Sequence, residues 1–232
     1  MKKLICALFI LFASQAAAQM KPSAAPPAAA DEKESILTQE TNIWDVIQKR
    51  RSVRKFKPDS IPESAVQKII NAARMAPTSG NQQPWKFLIV RDRNKINEMK
   101  EKCIERSLFR YDPANQKHIT KEEYEKLIRT SLDNYFSALV YIVVLTDNES
   151  MYPDYNHWDG PLAAGYLMLA ARALGYGTVF ITDVIPESVS KEVLQIPDRY
   201  TRVCITPVGI PVEWPAPPPK KKLEDFIVYE KF

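Results

Sequence analysis

Lys49-Arg50-Arg51-Ser52-Val53-Arg54-Lys55-Phe56 is the segment richest in groups that could bind an anion. Guanidinium forks match phosphate oxygens with paired, charge-assisted hydrogen bonds, and a serine hydroxyl adds a neutral donor. A basic run at a helix C-terminus also complements the macrodipole and is often simply solvated. Residue types alone leave both readings open. A second segment, Pro77-Thr78-Ser79-Gly80-Asn81-Gln82-Gln83-Pro84-Trp85, gathers hydroxyls, amides and a glycine between a helix pattern and a strand pattern. Such a loop could cradle a polar heteroaromatic ring. It also reads as a tight turn with Trp85 in the core.

Other chemistries lack their residues. No GxGxxG or GxxxxGK[ST] loop occurs. With 3 cysteines, 2 histidines and no CxxC pair, a structural zinc site is not expected. No nucleophile or acid/base dyad stands out. The net charge of +4 in 232 residues lacks the basic excess of a nucleic-acid binder. At 45% hydrophobic and 26% charged, the chain can build an ordinary globular core, and its length suits one folded domain.

The elements that must position these segments follow from periodicity. Asn42 is a candidate N-cap for a helix carrying Ile43, Val46 and Ile47, which ends in Lys49-Arg50-Arg51. Ile61-Pro62-Glu63 opens a second helix with Val66, Ile69, Ile70 and Ala73 on one face, ended by Pro77 and Gly80. Residues 86–90 read as a strand, and 92–106 as a charged helix. Residues 103–125 hold Tyr111, Lys117, His118 and Tyr124 without clear periodicity and suggest a lid. A further helix leads to Tyr135. The apolar run 138–145 suits a strand buried on both faces. Residues 160–174 form a small-residue helix, apolar almost all round and therefore central. A strand at 178–181, a helix at 186–194 and a strand at 203–210 follow. Helices and strands interleave, which predicts an α+β fold with helices around one central sheet. Cys204 falls in an apolar strand pattern, so Cys103 and Cys204 are expected as free thiols. The extension after Pro211 has no obvious partner within one compact subunit; an arm wrapping a second subunit would account for it.

The N-terminus reads as an export signal. Lys2 and Lys3 precede an apolar run from Leu4 to Ala13, and Ala16-Ala17-Ala18 offers small residues for cleavage. The run is shorter than the about 20 residues a membrane span needs, so no stable membrane insertion is expected. No twin-arginine pair precedes it, which favours the Sec route. Residues 1–18 are therefore expected as a signal peptide and 19–41 as a proline- and alanine-rich disordered linker. The domain proper is 42–232, and the mature protein is expected in the periplasm or secreted.

The two chemical segments gain meaning together. RRSVRKF followed by APTSGNQQPWKF resembles the FMN-dependent nitroreductase family. Three later features match as well: ARALGYGTVFITD at 171–183, PVGIP at 207–211, and the basic turn Lys220-Lys221-Lys222 before the C-terminal arm. The resemblance covers residues 42–232. It implies a central mixed sheet surrounded by helices, a C-terminal arm wrapping the partner subunit, and a homodimer with FMN at the interface. It implies that Arg50, Arg51, Ser52 and Arg54 contact the flavin's phosphate, ribityl chain and N1/O2 side. Pro77, Thr78, Ser79 and Asn81 would reach the same flavin from the partner, and Lys220 and Lys222 would close the phosphate site. Ile181, Thr182 and Asp183 would run past the ring with a backbone N–H directed at N5. Asp159 would stand near the ring, while Asp183 should turn away or cap the next helix. The implied reaction is hydride transfer from NADH or NADPH to flavin N5 and two-electron reduction of a small aromatic acceptor such as a nitroaromatic or quinone. Reductive dehalogenation, flavin breakdown, or flavin binding without turnover are the alternatives.

Overall fold

The computed structural model describes Gln39, residues 42–115 and residues 118–231. The expected signal segment, the linker apart from Gln39, and Lys117 lie outside the described residues. The sheet is built on β2 (Val140–Asp147), whose first seven residues are all buried. It lies between β1 (Trp85–Val90) and β4 (Tyr200–Gly209), and β3 (Gly177–Thr178) pairs with the far edge of β4. These ladders are antiparallel. The mixed character comes from one parallel bridge, Ser52 to Thr178.

Side-chain alternation along β2 assigns its two faces. Val140, Ile142 and Val144 pack with α2 (Glu63–Ala73) and α5 (Asn156–Ala173). Tyr141, Val143 and Leu145 pack with α3 (Arg93–Phe109), α4 (Lys121–Tyr135) and α6 (Glu187–Leu194). The short α1 (Ile43–Lys49), capped by the Asn42 side chain on the Trp44 N–H, rests against α5. The fold is α+β, with helices on both faces of one sheet. Cys103 and Cys204 are free and buried, and burial pushes their thiols up to about 11 and about 12.

Three elements differ from their sequence expectation. The expected lid at 103–125 is mostly helix: α3 runs through Phe109 and α4 opens at Lys121. Met99, Cys103 and Ile104 give α3 a buried stripe that its many charges mask, and a Thr120–Glu123 capping box starts α4. Tyr111 and Tyr124 close the connection, with ring centroids 5.2 Å apart and the Tyr111 hydroxyl donating to the Ile119 carbonyl at 2.8 Å. The strand expected at 178–181 pairs regularly only at Gly177–Thr178, and Ile181 makes a separate bridge to Ile205. Helix α5 begins at Asn156, ahead of the apolar run, because its first turn is polar and engaged in hydrogen bonds.

Gly177 is required by packing. A Cβ there would stand 2.8 Å from Val53 Cβ and 2.9 Å from Pro211 Cγ. Both neighbours are anchored near the backbone and cannot swing aside. Gly177→Ala should therefore destabilise the protein by about 1–3 kcal/mol despite the entropic gain of replacing a glycine. Thermal unfolding should show a midpoint lowered by roughly 2–10 °C; an unchanged or raised midpoint would refute this close packing.

Candidate functional site

Arg50 is the C-cap of α1, and its φ of −58° and ψ of 135° turn the chain from helical to extended. The extended run then docks on β3, where the Val53 N–H donates to the Thr178 carbonyl at 2.9 Å. Val53 is 1% exposed and marks the inward face. In an extended chain alternate residues share a side, so Arg50, Ser52 and Arg54 share the face opposite Val53. Arg51 has the parity of Val53 and folds back, donating to the carbonyls of Gln48 at 2.5 Å and Arg50 at 2.7 Å. Its guanidinium thereby caps the end of α1. Arg54 donates from Nε to the Tyr135 hydroxyl at 3.0 Å and lies 5.8 Å from that ring's centroid. Ser52, Arg54, Ser131, Asn134 and Tyr135 line a cleft of about 400 Å³.

From β3 the chain continues through Ile181, bridged to Ile205, to the exposed Thr182 and Asp183. Arg202 on β4 holds this segment. It is buried, and its Nη2 donates to the Thr182 carbonyl at 2.5 Å. Its Nη1 donates to the Ile185 carbonyl at 2.7 Å and the Ser190 hydroxyl at 3.2 Å, while its Nε has no partner among the described residues. Burial lowers the pKa of Arg202, and Glu187 opposes that shift. In a trans peptide the carbonyl and the following N–H point in opposite directions. With the Thr182 carbonyl clamped, the Asp183 N–H points away from Arg202. Arg202 was absent from the sequence reading; a lone charge inside an apolar strand pattern was its only signal. Asp183 does not cap α6, which has Pro186 at its N-cap and no side-chain cap.

The Thr78–Gln83 loop is held by another buried charge. Asp159, 2% exposed on α5, accepts from the Ser79 N–H at 3.1 Å and from Gln82 Nε2 at 2.7 Å. Gln82 also ties to Tyr152: its amide donates to the Tyr152 carbonyl at 3.1 Å, and its carbonyl accepts the Tyr152 N–H at 2.7 Å. The Thr78 hydroxyl accepts from the Gln83 N–H at 3.2 Å. Gly80, Asn81 and Gln83 have φ of 55°, 54° and 48°. The loop is therefore a preset, strained turn. Its carboxylate clamp gives Asp159 a positioning role. Pro77 and Asn81 are exposed and Ser79 half-buried. Gln82, Tyr152 and Asn156 complete the clamp and were also missed, because their spacing in the chain hides their proximity.

The structure docks the segment of Arg50, Ser52 and Arg54 on β3, through the Ser52–Thr178 bridge, and separately joins Ser79 to Asp159. Lys220 and Lys222 are exposed on the C-terminal arm, and no hydrogen bond or ion pair among the described residues ties them to the arginine segment. The arm leaves next to that segment, with the Val212 N–H on the Lys55 carbonyl at 3.1 Å and Arg172 4.2 Å from the Trp214 ring centroid.

Comparison with known proteins places this arrangement. The model of the Nitroreductase family matches residues 47–210, from α1 to the end of β4. The chain belongs to the Nitroreductase family. It is 32% identical over 173 residues to an Archaeoglobus fulgidus protein provisionally named NADH dehydrogenase/NAD(P)H nitroreductase, over 72% of this chain and 83% of the relative. It is 29% identical over 187 residues to the iodotyrosine deiodinase of Thermotoga neapolitana, over 80% of this chain and 96% of that one. The solved structure of oxidised iodotyrosine deiodinase with FMN and 3-iodo-L-tyrosine shares the fold, with a TM-score of 0.65 at 23% identity, covering 82% of this chain and 100% of that one.

Removing the Asp159 carboxylate would strand the Ser79 N–H and the Gln82 amide. Asp159→Ala should cost about 1.5–3 kcal/mol and raise amide hydrogen exchange across residues 77–85. Unaltered exchange in that segment would show that the loop holds itself without the carboxylate.

Proposed function

We propose that this protein is an FMN-dependent oxidoreductase that takes hydride from NADH or NADPH and passes two electrons to a nitroaromatic, quinone or similar electron-poor aromatic acceptor. The observation that carries the reading is the shared face of Arg50, Ser52 and Arg54 on a run that docks on Thr178 of β3, the strand that leads on to the clamped Thr182–Asp183 peptide. Two guanidinium groups and a hydroxyl on one side of an extended run fit a phosphate and a polyol chain. The Asp183 N–H fits a ring nitrogen that needs a donor. Bound FMN would supply hydride acceptance at N5 and electron transfer to the acceptor. These residues would bind and orient it: Arg50 and Ser52 would hold the phosphate end and Lys220 and Lys222 would close it, while Arg51, expected at the same phosphate, is engaged with the end of α1. Arg54 supplies positive charge on the N1/O2 side of the ring, where the reaction places negative charge. Its hold on Tyr135 keeps that charge in place.

The site is completed in a homodimer. Trp158, Leu162 and Tyr166 recur at four-residue intervals on α5 and are all exposed, as are Ile43, Trp44 and Ile47 on the adjoining α1. An apolar face of that breadth marks a protein interface. Leu223, Phe226, Val228 and Tyr229 on the arm are exposed too. An arm laid on a second copy would cover them. Pro77, Thr78, Ser79 and Asn81 would then approach the flavin from the partner. Residues 1–18 direct export in this reading, so the mature chain should fractionate with the periplasm or the medium; full-length chain in the cytosol would contradict it.

Reductive dehalogenation is the second reading, favoured by the Thermotoga relative. The purified dimer should be yellow and should bleach under anaerobic NADH or NADPH. An acceptor screen of nitroaromatics, quinones and halophenols then ranks the two reactions. A flavin that stays oxidised with both donors would overturn the reductase and leave a binding protein. Arg50→Ala and Ser52→Ala should each weaken FMN binding, by roughly ten- to a hundredfold for the arginine, with the dimer intact. Undiminished flavin occupancy in both variants would overturn the phosphate assignment.

A further inference from the structure

The last turn of α3 carries a second cationic group that the flavin site does not use. Arg106 and Arg110 stand one turn apart, with Arg110 at the C-cap. Arg106 Nη1 donates to the Ser188 hydroxyl at 2.7 Å, which fixes its head group. The Arg110 guanidinium has no hydrogen-bond or ion-pair partner among the described residues. Both arginines line an outer cleft of about 590 Å³ with Lys102, Glu105, Phe109 and Glu192. Both also line an inner cleft of about 170 Å³ that contains Asp183. Arg110 further lines a third, of about 480 Å³, with Thr182, Asp183 and Arg202. One unpaired guanidinium thus connects the protein surface to the Thr182–Asp183 tip.

The charges facing these clefts are not balanced evenly. In the outer cleft Glu192 is spent on Lys102, at 2.7 Å. Glu105 is then the one acid of that lining without an ion-pair partner among the described residues, and Arg106 shares the field of Glu192 with Lys102. At the inner end Asp183 is the exposed acid, since Glu187 accepts from the Arg202 backbone N–H at 3.0 Å. Phe109 is 92% exposed beside the two arginines. A fully exposed aromatic gains nothing for the fold, and Arg110 stabilises no neighbour. A planar ring bearing an oxyanion would use both: the ring stacks on Phe109, and the oxyanion takes the guanidinium fork.

We infer that Arg106, Phe109 and Arg110 form a recognition site for the anionic end of a substrate whose other end reaches the Thr182–Asp183 tip. This rests on the flavin reading only for what happens at that tip. An oxyanion could belong to the acceptor, as an aromatic carboxylate, or to the nicotinamide donor, as its phosphates. The probes separate the two. Isothermal titration of the purified dimer would use 4-nitrobenzoate against neutral 4-nitrobenzamide, and adenosine 2′,5′-bisphosphate against adenosine.

The wild-type protein should prefer at least one anionic probe over its neutral counterpart. Arg110→Gln should erase that preference by roughly ten- to a hundredfold, and Arg110→Lys should restore part of it. Loss confined to nitrobenzoate assigns the site to the acceptor, and loss confined to the bisphosphate assigns it to the donor. The inference is overturned if the wild type prefers neither anion, or if Arg110→Gln keeps the preference. FMN content, read from visible absorbance of the same samples, reports separately: colourless protein that cannot be reconstituted would sink the flavin reading, whatever the titrations give.

Discussion

Val53 packs face to face with the bare backbone of Gly177, and the arginine-bearing face of the protein is arranged about that contact. Burying Val53 in an extended segment forces Arg50, Ser52 and Arg54 to the opposite side. The parallel bridge between Ser52 and Thr178 sets the register, so a one-residue slip would turn the arginines inward and Val53 out. The contact needs a residue without a Cβ at 177, and Pro211 closes it from the third side. Pro211 also begins the C-terminal arm, so arm, arginine segment and β3 meet at one point.

Two buried charges do comparable work on the flanking loops. Arg202 holds the Thr182 carbonyl, and Asp159 holds the Ser79 N–H and the Gln82 amide. Buried charge is costly unless paired and hydrogen-bonded. Each here is spent on backbone or amide groups of a loop, which converts that cost into a defined loop conformation. Preset geometry of this kind leaves little ordering to be done when a ligand binds. The helical hairpin of α3 and α4 adds a third wall, and its exposed Arg106 and Arg110 line a cleft together with Asp183.

Much of this was legible in the residue order. The alternating and helical periods marked β1, β2, β4, α1, α2 and α6, and family resemblance tied RRSVR to PTSGNQQPW. Boundaries failed where local signals were mixed. The buried stripe of α3 was hidden by charge, so a helix end was read as a lid. The apolar run 178–181 promised a strand, but only two of its neighbouring residues find a regular ladder partner.

The sequence by itself determined the α+β class, the set of basic and hydroxyl residues available to an anionic ligand, and the family. Those properties depend on residue type and on neighbours close in the chain. Tertiary structure alone decided which of those residues are free to act. Arg51 is spent on the end of α1, Asp159 turns inward to the loop, and Arg202 emerges from an apolar strand to orient Thr182. Partners some 80 or 20 residues apart in the chain, as Ser79–Asp159 and Thr182–Arg202 are, leave no local pattern to read. Only the packing of α5 on the sheet and the pairing of β4 within it bring them within hydrogen-bonding distance.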